Sequence, residues 1–359
     1  MDRGAHPGSA PSPGQRLSHR RQWSRGVVRE RLGLWPSAPD QPSIEHPVNL
    51  CAVFGRALQR VPGRGRSTRS ALRIALSPSS WGVSDIPEWG QQLEAERVLS
   101  EVWSLGISAI EAGPPGFLPD RSDMAKLLLR RHWLRVVSGQ AHAVLHHHDI
   151  RGPELAHIDG HASWLAAVGA ETLVLSAIAP RGASTAHGIV LDSEGWAHLL
   201  HSIGSVEHVC ARHRLRLAVL PRFGTMIQGP SDIERLLVGT EAGVCFDPCH
   251  LMMVGADPLE VLELAAGRIR HVRLNDVDAD MARQVREHRI DYAQAVSRGL
   301  YKTLGHGDAR LESVIESLQR SKYRGWYAID QDVRLKSTDD KPLPDIKRAL
   351  DYVRKLVAA

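Results

Sequence analysis

From Leu72 onward, short apolar runs with strand character alternate with stretches in which apolar residues recur at helical spacing. The runs are Leu72–Leu76, Ser108–Glu111, Leu134–Val137, Thr172–Leu175, Leu215–Leu220, Val244–Asp247, Ile269–Leu274 and Trp326–Asp330. Between them, Ala95, Val98, Leu99 and Val102 fall at i, i+3, i+4 and i+7. Pro258, Val261, Leu262 and Ala265 repeat the spacing, as do Leu311, Val314, Ile315 and Leu318. Each set forms one stripe that a helix can bury against a sheet.

Helix boundaries are also written in the sequence. Asp257-Pro258-Leu259-Glu260 supplies an N-cap acceptor, a proline at the first helical position and a glutamate at N3, and Ser231-Asp232-Ile233-Glu234 follows the same capping pattern. Gly267 stands just past the expected end of the first of these helices. Strand and helix alternating through eight repeats calls for parallel strands with right-handed crossovers. The economical closure is a (β/α)8 TIM barrel over residues 71–359. An open doubly wound sheet is the rival. It is disfavoured because Ser77-Pro78-Ser79-Ser80-Trp81-Gly82 follows the first strand, where a Gly-x-Gly-x-x-Gly turn would stand.

Residues 1–70 lack either period and hold eight of the 21 prolines, so they read as a disordered basic leader. The leader also corrects a first impression from the net charge of +5. It carries twelve Arg against four acids, leaving 33 basic against 36 acidic residues in the body. The body therefore lacks the basic face that a phosphate backbone demands, and no nucleic-acid partner is expected. Four scattered cysteines point to a reducing cytoplasm, and no apolar run is long enough for a membrane span. The leader's arginines are not followed by the apolar segment of an export signal.

In a barrel of this kind chemistry gathers where the strands end. Polar residues collect there: Ser79, Ser80 and Trp81; Glu111; Arg222; Asp247 and His250; His271, Arg273, Asn275 and Asp276; and Asp330, Gln331 and Asp332. Several of these words are familiar. Ser80-Trp81-Gly82, Ile110-Glu111-Ala112-Gly113-Pro114 with Gly116 to Pro119, Asp247-x-x-His250, His271-Val272-Arg273-Leu274-Asn275-Asp276, Leu304-Gly305-His306-Gly307-Asp308 and Gly325-Trp326 to Gln331-Asp332 resemble the xylose isomerase-like TIM barrels. These are the sugar phosphate isomerases and epimerases, and the inosose dehydratase branch is the nearest in wording.

The resemblance implies a divalent Mn, Co or Zn ion at the barrel mouth that polarises a ketose carbonyl while carboxylates move the α-proton through an enediolate. The chain departs from that pattern at the ligand positions. Leu220 stands where the family has Glu or His, Arg222 where the branch has a further His, and Arg273 and Asn275 where His-x-His-x-Lys-Asp is expected. Asp330 replaces Glu, so Asp247 alone is unaltered. A guanidinium has five donors and no acceptor, and it repels the ion it displaces. The expectation is that Arg273 and Arg222 supply the positive charge, paired with Asp247 and Asp330 as forks, with no cofactor required. A divalent cation on the remnant ligands Asp247 and Asp330 is the family's alternative.

The expected function is isomerisation, epimerisation or dehydration of a small sugar, cyclitol or sugar phosphate by proton abstraction next to a carbonyl. Asp330 or Glu111 is the expected base, and Asp247 and His250 organise the site. Trp81, Arg222, His271, Arg273 and Lys302 are the expected substrate contacts. The rival is a non-catalytic barrel that binds a sugar-like ligand or a protein partner, for which the loss of a ligand at Leu220 speaks. Abasic-site DNA cleavage fails for want of clustered zinc ligands and a basic groove. Residues 276–305 are too long for a plain loop, and the amphipathic stretch Met281–Val296 reads as a lid over substrate or, alternatively, a homodimer contact. His146-His147-His148 reads as a polar loop, and Cys245-x-x-x-Cys249-His250 is too sparse for a zinc set.

Overall fold

The computed structural model describes residues 73–86, 88–149, 151–180 and 190–358. The basic leader expected over 1–70 lies outside the described residues. Eight parallel strands close into a barrel: β1 (Arg73–Leu76), β2 (Ala109–Glu111), β3 (Arg135–Ala143), β4 (Thr172–Ala177), β5 (Arg216–Val219), β6 (Gly243–Phe246), β7 (Ile269–Leu274) and, after a small hairpin described below, β10 (Trp326–Ile329). Going round the barrel, the order is β1, β10, β7, β6, β5, β4, β3, β2. Each of the eight runs marked by the apolar pattern overlaps one barrel strand, and β3 and β4 continue past theirs.

The helices also follow the stripes. Helix α1 (Ala95–Ser104) buries Val98, Leu99 and Val102. Then come α2 (Ser122–Arg131), α3 (Arg151–Val168), α4 (Ser193–Arg212), α5 (Pro230–Gly239), α6 (Pro248–Met253) and α7 (Pro258–Leu264). Asp257 caps α7 as its spacing predicts, its carboxylate accepting from Leu259 N at 2.9 Å. The capping pattern at Ser231 is displaced. Helix α5 starts from Gly229 with Pro230 leading, so Asp232 sits at N3 and accepts from the backbone N–H groups of Gln228 and Gly229 at 3.0 and 3.2 Å. Proline fixes the first helical residue, and that outranks the serine.

Strand β7 leads into a segment that the amphipathic pattern treats as one stretch. It is instead two short helices, α8 (Ala279–Arg286) and α9 (Tyr292–Ser297), flanked by the antiparallel pair β8 (Asp276–Val277) and β9 (Tyr301–Lys302). Asp278 and Asp291 each open one of them, bonding Met281 N and Gln294 N, so the second cap interrupts the helix at residues 287–291. The segment has an apolar core of its own, in which Ala282, Val285, Ala295 and Leu300 pack with Cys249 and Met253 of α6 and with Trp89. Asp276 ties its base, accepting from the N–H groups of Gly305, Gly307 and Ala309 at 2.9, 3.0 and 3.0 Å.

Helix α10 (Leu311–Arg320) buries Leu311, Val314, Ile315 and Leu318, each contributing roughly 1.5–3 kcal/mol through removal from water. The last helix is α11 (Leu343–Ala358). Among the described residues no helix is long and apolar enough to cross a membrane.

Candidate active site

The strand ends on the C-terminal side of the barrel open into one pocket. Ser77 and Ser79 (after β1), Glu111, Gln140 and His142 (β3), Arg222 (after β5), His250, Arg273, Asp330 and Asp332 line it together with Tyr301 from β9. These residues lie far apart in the chain and meet only because each strand delivers its end to the same rim.

Arg273 is the hub of this pocket. Its guanidinium lies 3.3 Å from Glu111 Oε2, and its Nε lies 3.2 Å from Asp330 Oδ2, so from β7 it reaches the end of the adjacent β10 and, across the barrel mouth, β2. Burial opposes that charge, but the facing Asp330 and Glu111 carboxylates outweigh it and hold the guanidinium firmly protonated. Glu111 is almost fully buried. His271 Nε2 lies 2.9 Å from its Oε1, and Ser138 donates to the same oxygen at 2.9 Å. Burial pushes the Glu111 carboxyl up, yet Arg273, His271 and Ser138 together overcome it and hold it well below the usual carboxylate range. Asp330 accepts from Ser79 Oγ on its other oxygen.

A second group of carboxyls is pushed the opposite way. Burial, and then the charge of Asp330, raise Asp247 to about 7 against the bonds from Asn275 Nδ2 (3.0 Å) and His250 N (3.1 Å). Burial and Asp330 likewise raise Asp332, which accepts from Tyr292 Oη at 2.6 Å. Tyr292 and Tyr301 hydroxyls share a bond at 2.9 Å within the 276–305 segment, and the Tyr292 bond to Asp332 joins that segment to the end of β10. Burial, and after it the positive charges of Arg222 and Arg273, hold His250 well below its usual value, so its ring is neutral.

Several expectations need correction. Asp247 does not pair with an arginine: Asn275 and a backbone N–H take its oxygen. Arg222 lines the pocket, but among the described residues no carboxylate lies within 4.0 Å of its guanidinium. Trp81 does not face substrate. Its ring is fully buried, and its indole N–H donates to Glu101 Oε2 at 2.7 Å, because the Pro78–Trp81 turn folds it inward onto α1. Lys302 does not reach inward, since its amine is held by Asp278 at 3.2 Å. His271 is fully buried beneath the floor and acts through Glu111 rather than on a ligand. His146, His147 and His148 lie outside the pocket lining.

The sequence reasoning missed Ser138, His142, Tyr292 and Tyr301. For Ser138 and His142 a signal existed. Ser138, Gln140 and His142 alternate with Gly139, Ala141 and Ala143, a strand period that carries β3 six residues past its expected end. The tyrosines had none, because their place depends on the fold of the segment above the barrel.

The donor set does not fit a divalent cation. Among the described residues no three His, Cys, Asp or Glu side chains converge as metal ligands. Leu220 is fully buried with Val174, Ala218 and Cys245, and a fixed guanidinium stands between Glu111 and Asp330.

A sequence model of the xylose isomerase-like TIM barrel matches residues 99–356. The chain belongs to this family. Among curated members, the rhizopine catabolism protein MocC of Rhizobium meliloti is 28% identical over 279 residues, covering 75% of this chain and 84% of that protein. The inosose dehydratase of Geobacillus thermodenitrificans is 26% identical over 298 residues, covering 79% and 97%. Solved family structures share the fold. D-psicose 3-epimerase of Clostridium cellulolyticum H10 superposes with a TM-score of 0.61 at 13% identity, covering 80% of this chain and 99% of that one. The IOLI protein, solved with a zinc atom, gives 0.60 at 12% identity, covering 80% and 98%. Curated relatives of the chain are thus enzymes, inosose dehydratases among them.

Proposed function

We propose that the chain is an enzyme that abstracts a proton next to the carbonyl of a sugar or cyclitol, leading to dehydration or epimerisation, and that a guanidinium rather than a tightly held metal ion stabilises the developing oxyanion. The observation that carries this reading is Arg273 lodged between Glu111 and Asp330 in the pocket of a barrel whose relatives include inosose dehydratases.

The charge balance explains the assignment. Asp330 lines the pocket with its carboxylate oriented by Ser79 and Arg273. When it accepts the α-proton its own charge disappears, and Arg273 is left with one carboxylate partner and a cation's worth of attraction for the new enediolate. Glu111, bound by three neighbours and poorly basic, is the anchor that fixes Arg273 and not the base. Elimination also needs an acid to protonate the departing hydroxyl. Asp332 lines the same pocket, and burial together with the charge of Asp330 pushes its carboxyl above the usual carboxylate range, which makes it the candidate acid.

The test is α-proton exchange. Purified protein is incubated with ketoses and inososes in deuterated water, once with chelator and once with manganese. Exchange in the presence of chelator is expected. Exchange only with manganese overturns the guanidinium mechanism, and no exchange with any compound favours a non-catalytic binder.

A further inference from the structure

We propose that the substrate carries an oxyanion group, a carboxylate or phosphate, and that Arg222 is its seat. The inference rests on the pocket being the substrate site and adds the class of substrate.

The two arginines of the pocket differ in their surroundings. Arg273 has two carboxylates within 3.3 Å, whereas Arg222 has none within 4.0 Å among the described residues. Arg222 is half-buried at the pocket wall, so its donors are open to a ligand that enters the pocket. The nearby acids are engaged elsewhere: Asp330 by Arg273 and Ser79, Asp332 by Tyr292, and Asp85 by His142, whose Nε2 lies 3.4 Å from it.

Arg222 is also held in place for a ligand. Its N–H donates to Ile227 O at 2.9 Å, and its carbonyl accepts from Thr225 N at 3.1 Å and Thr225 Oγ1 at 2.8 Å, closing a turn that fixes its backbone. His142, from β3, lines the same pocket. His250 also lines the pocket. A guanidinium fork matches an oxyanion, whose two oxygens accept its paired donors. The strand order sets this subsite, on β5 and β6, away from Ser79 and Asp330 on β1 and β10. One end of a substrate is thereby held by charge while its carbonyl faces the base.

The test is binding by isothermal titration at low salt, with D-glucuronate, D-glucose 6-phosphate and neutral myo-inositol as probes. The wild-type protein is expected to prefer at least one anion over myo-inositol by roughly tenfold or more, the range for hydrogen bonds to a charged group. Which anion wins distinguishes carboxylate from phosphate. Arg222→Met is expected to erase that margin. An equal affinity for all three probes, no binding of either anion at millimolar concentration, or a margin that survives in R222M overturns the proposal. Should R222M melt early, Arg222→Lys decides: a reduced margin is expected, and an undiminished one overturns the fork. Binding needs no turnover. An anion margin with no proton exchange from any compound would sink the proposed function and leave this inference, and exchange without an anion margin would do the reverse.

Discussion

Asn275 Nδ2 donates to Asp247 Oδ1 at 3.0 Å, and the N–H of His250 donates to that same oxygen at 3.1 Å. An amide oxygen can accept both bonds equally well, so Asp247→Asn keeps the geometry and removes only the titration. With its folded pKa at about 7 against an ordinary 3.8, Asp247 binds its proton more tightly in the folded state. It therefore lends stability that is complete below about pH 4 and is withdrawn as pH rises to about 7, on the order of a few kcal/mol. Melting temperatures at pH 5 and pH 8 should show a larger fall in the wild type than in D247N. Equal falls would show that Asp247 does not titrate in this window.

Glu111→Gln attacks the opposite case. Removing this charge leaves the buried Arg273 with the carboxylate of Asp330 alone, while the glutamine oxygen can still accept from His271 and Ser138. Breaking one side of a buried ion pair costs about 3–5 kcal/mol. Urea unfolding of E111Q at pH 7 should register a loss of that size, and a loss below 1 kcal/mol would mean that the pair is screened as a surface pair is.

Asp330→Asn should lower α-proton exchange by roughly 10²–10⁴-fold, the usual contribution of a positioned base, without a matching rise in KM. Ser79→Ala should act in the same direction but more weakly, on the order of tenfold, since it loosens the carboxylate and leaves it in place. Steady-state kinetics on whichever compound exchanges separates the two. A Ser79→Ala loss equal to that of D330N would place the serine in the proton transfer itself.

Gly307 bears on the segment above the pocket. A Cβ there would lie 2.4 Å from Asp276 Oδ1 and 2.6 Å from Val277 O, the second being backbone that cannot step aside. Gly307→Ala should therefore loosen the Asp276 knot, raising hydrogen exchange across residues 276–305 while the barrel strands stay protected. Uniform exchange across the whole chain would show that the segment and barrel open together.

The barrel was legible because its strands are buried on both faces and its helices on one, so each element carries its own period. The stripes at Val98 and Leu99 or Val314 and Ile315 could be read without knowing their neighbours. The site was legible in part. Strand ends pointed to Asp330, Glu111, Arg222 and Arg273, all of which line one pocket. The partners of each were not. That Arg273 chooses Glu111 over Asp247, or that Trp81 turns inward to Glu101, depends on contacts between elements up to 162 residues apart, which no local pattern encodes.

The double grip of Arg273 bears on how such a pocket can change over generations. Placing a carboxylate at Leu220 would drop a new charge among Val174, Ala218 and Cys245, and replacing Arg273 alone would leave Glu111 and Asp330 without the cation between them. Either substitution weakens the molecule before an ion could compensate. A pocket rebuilt around a metal ion at these positions would therefore need both substitutions together, because each alone leaves a buried charge without its partner.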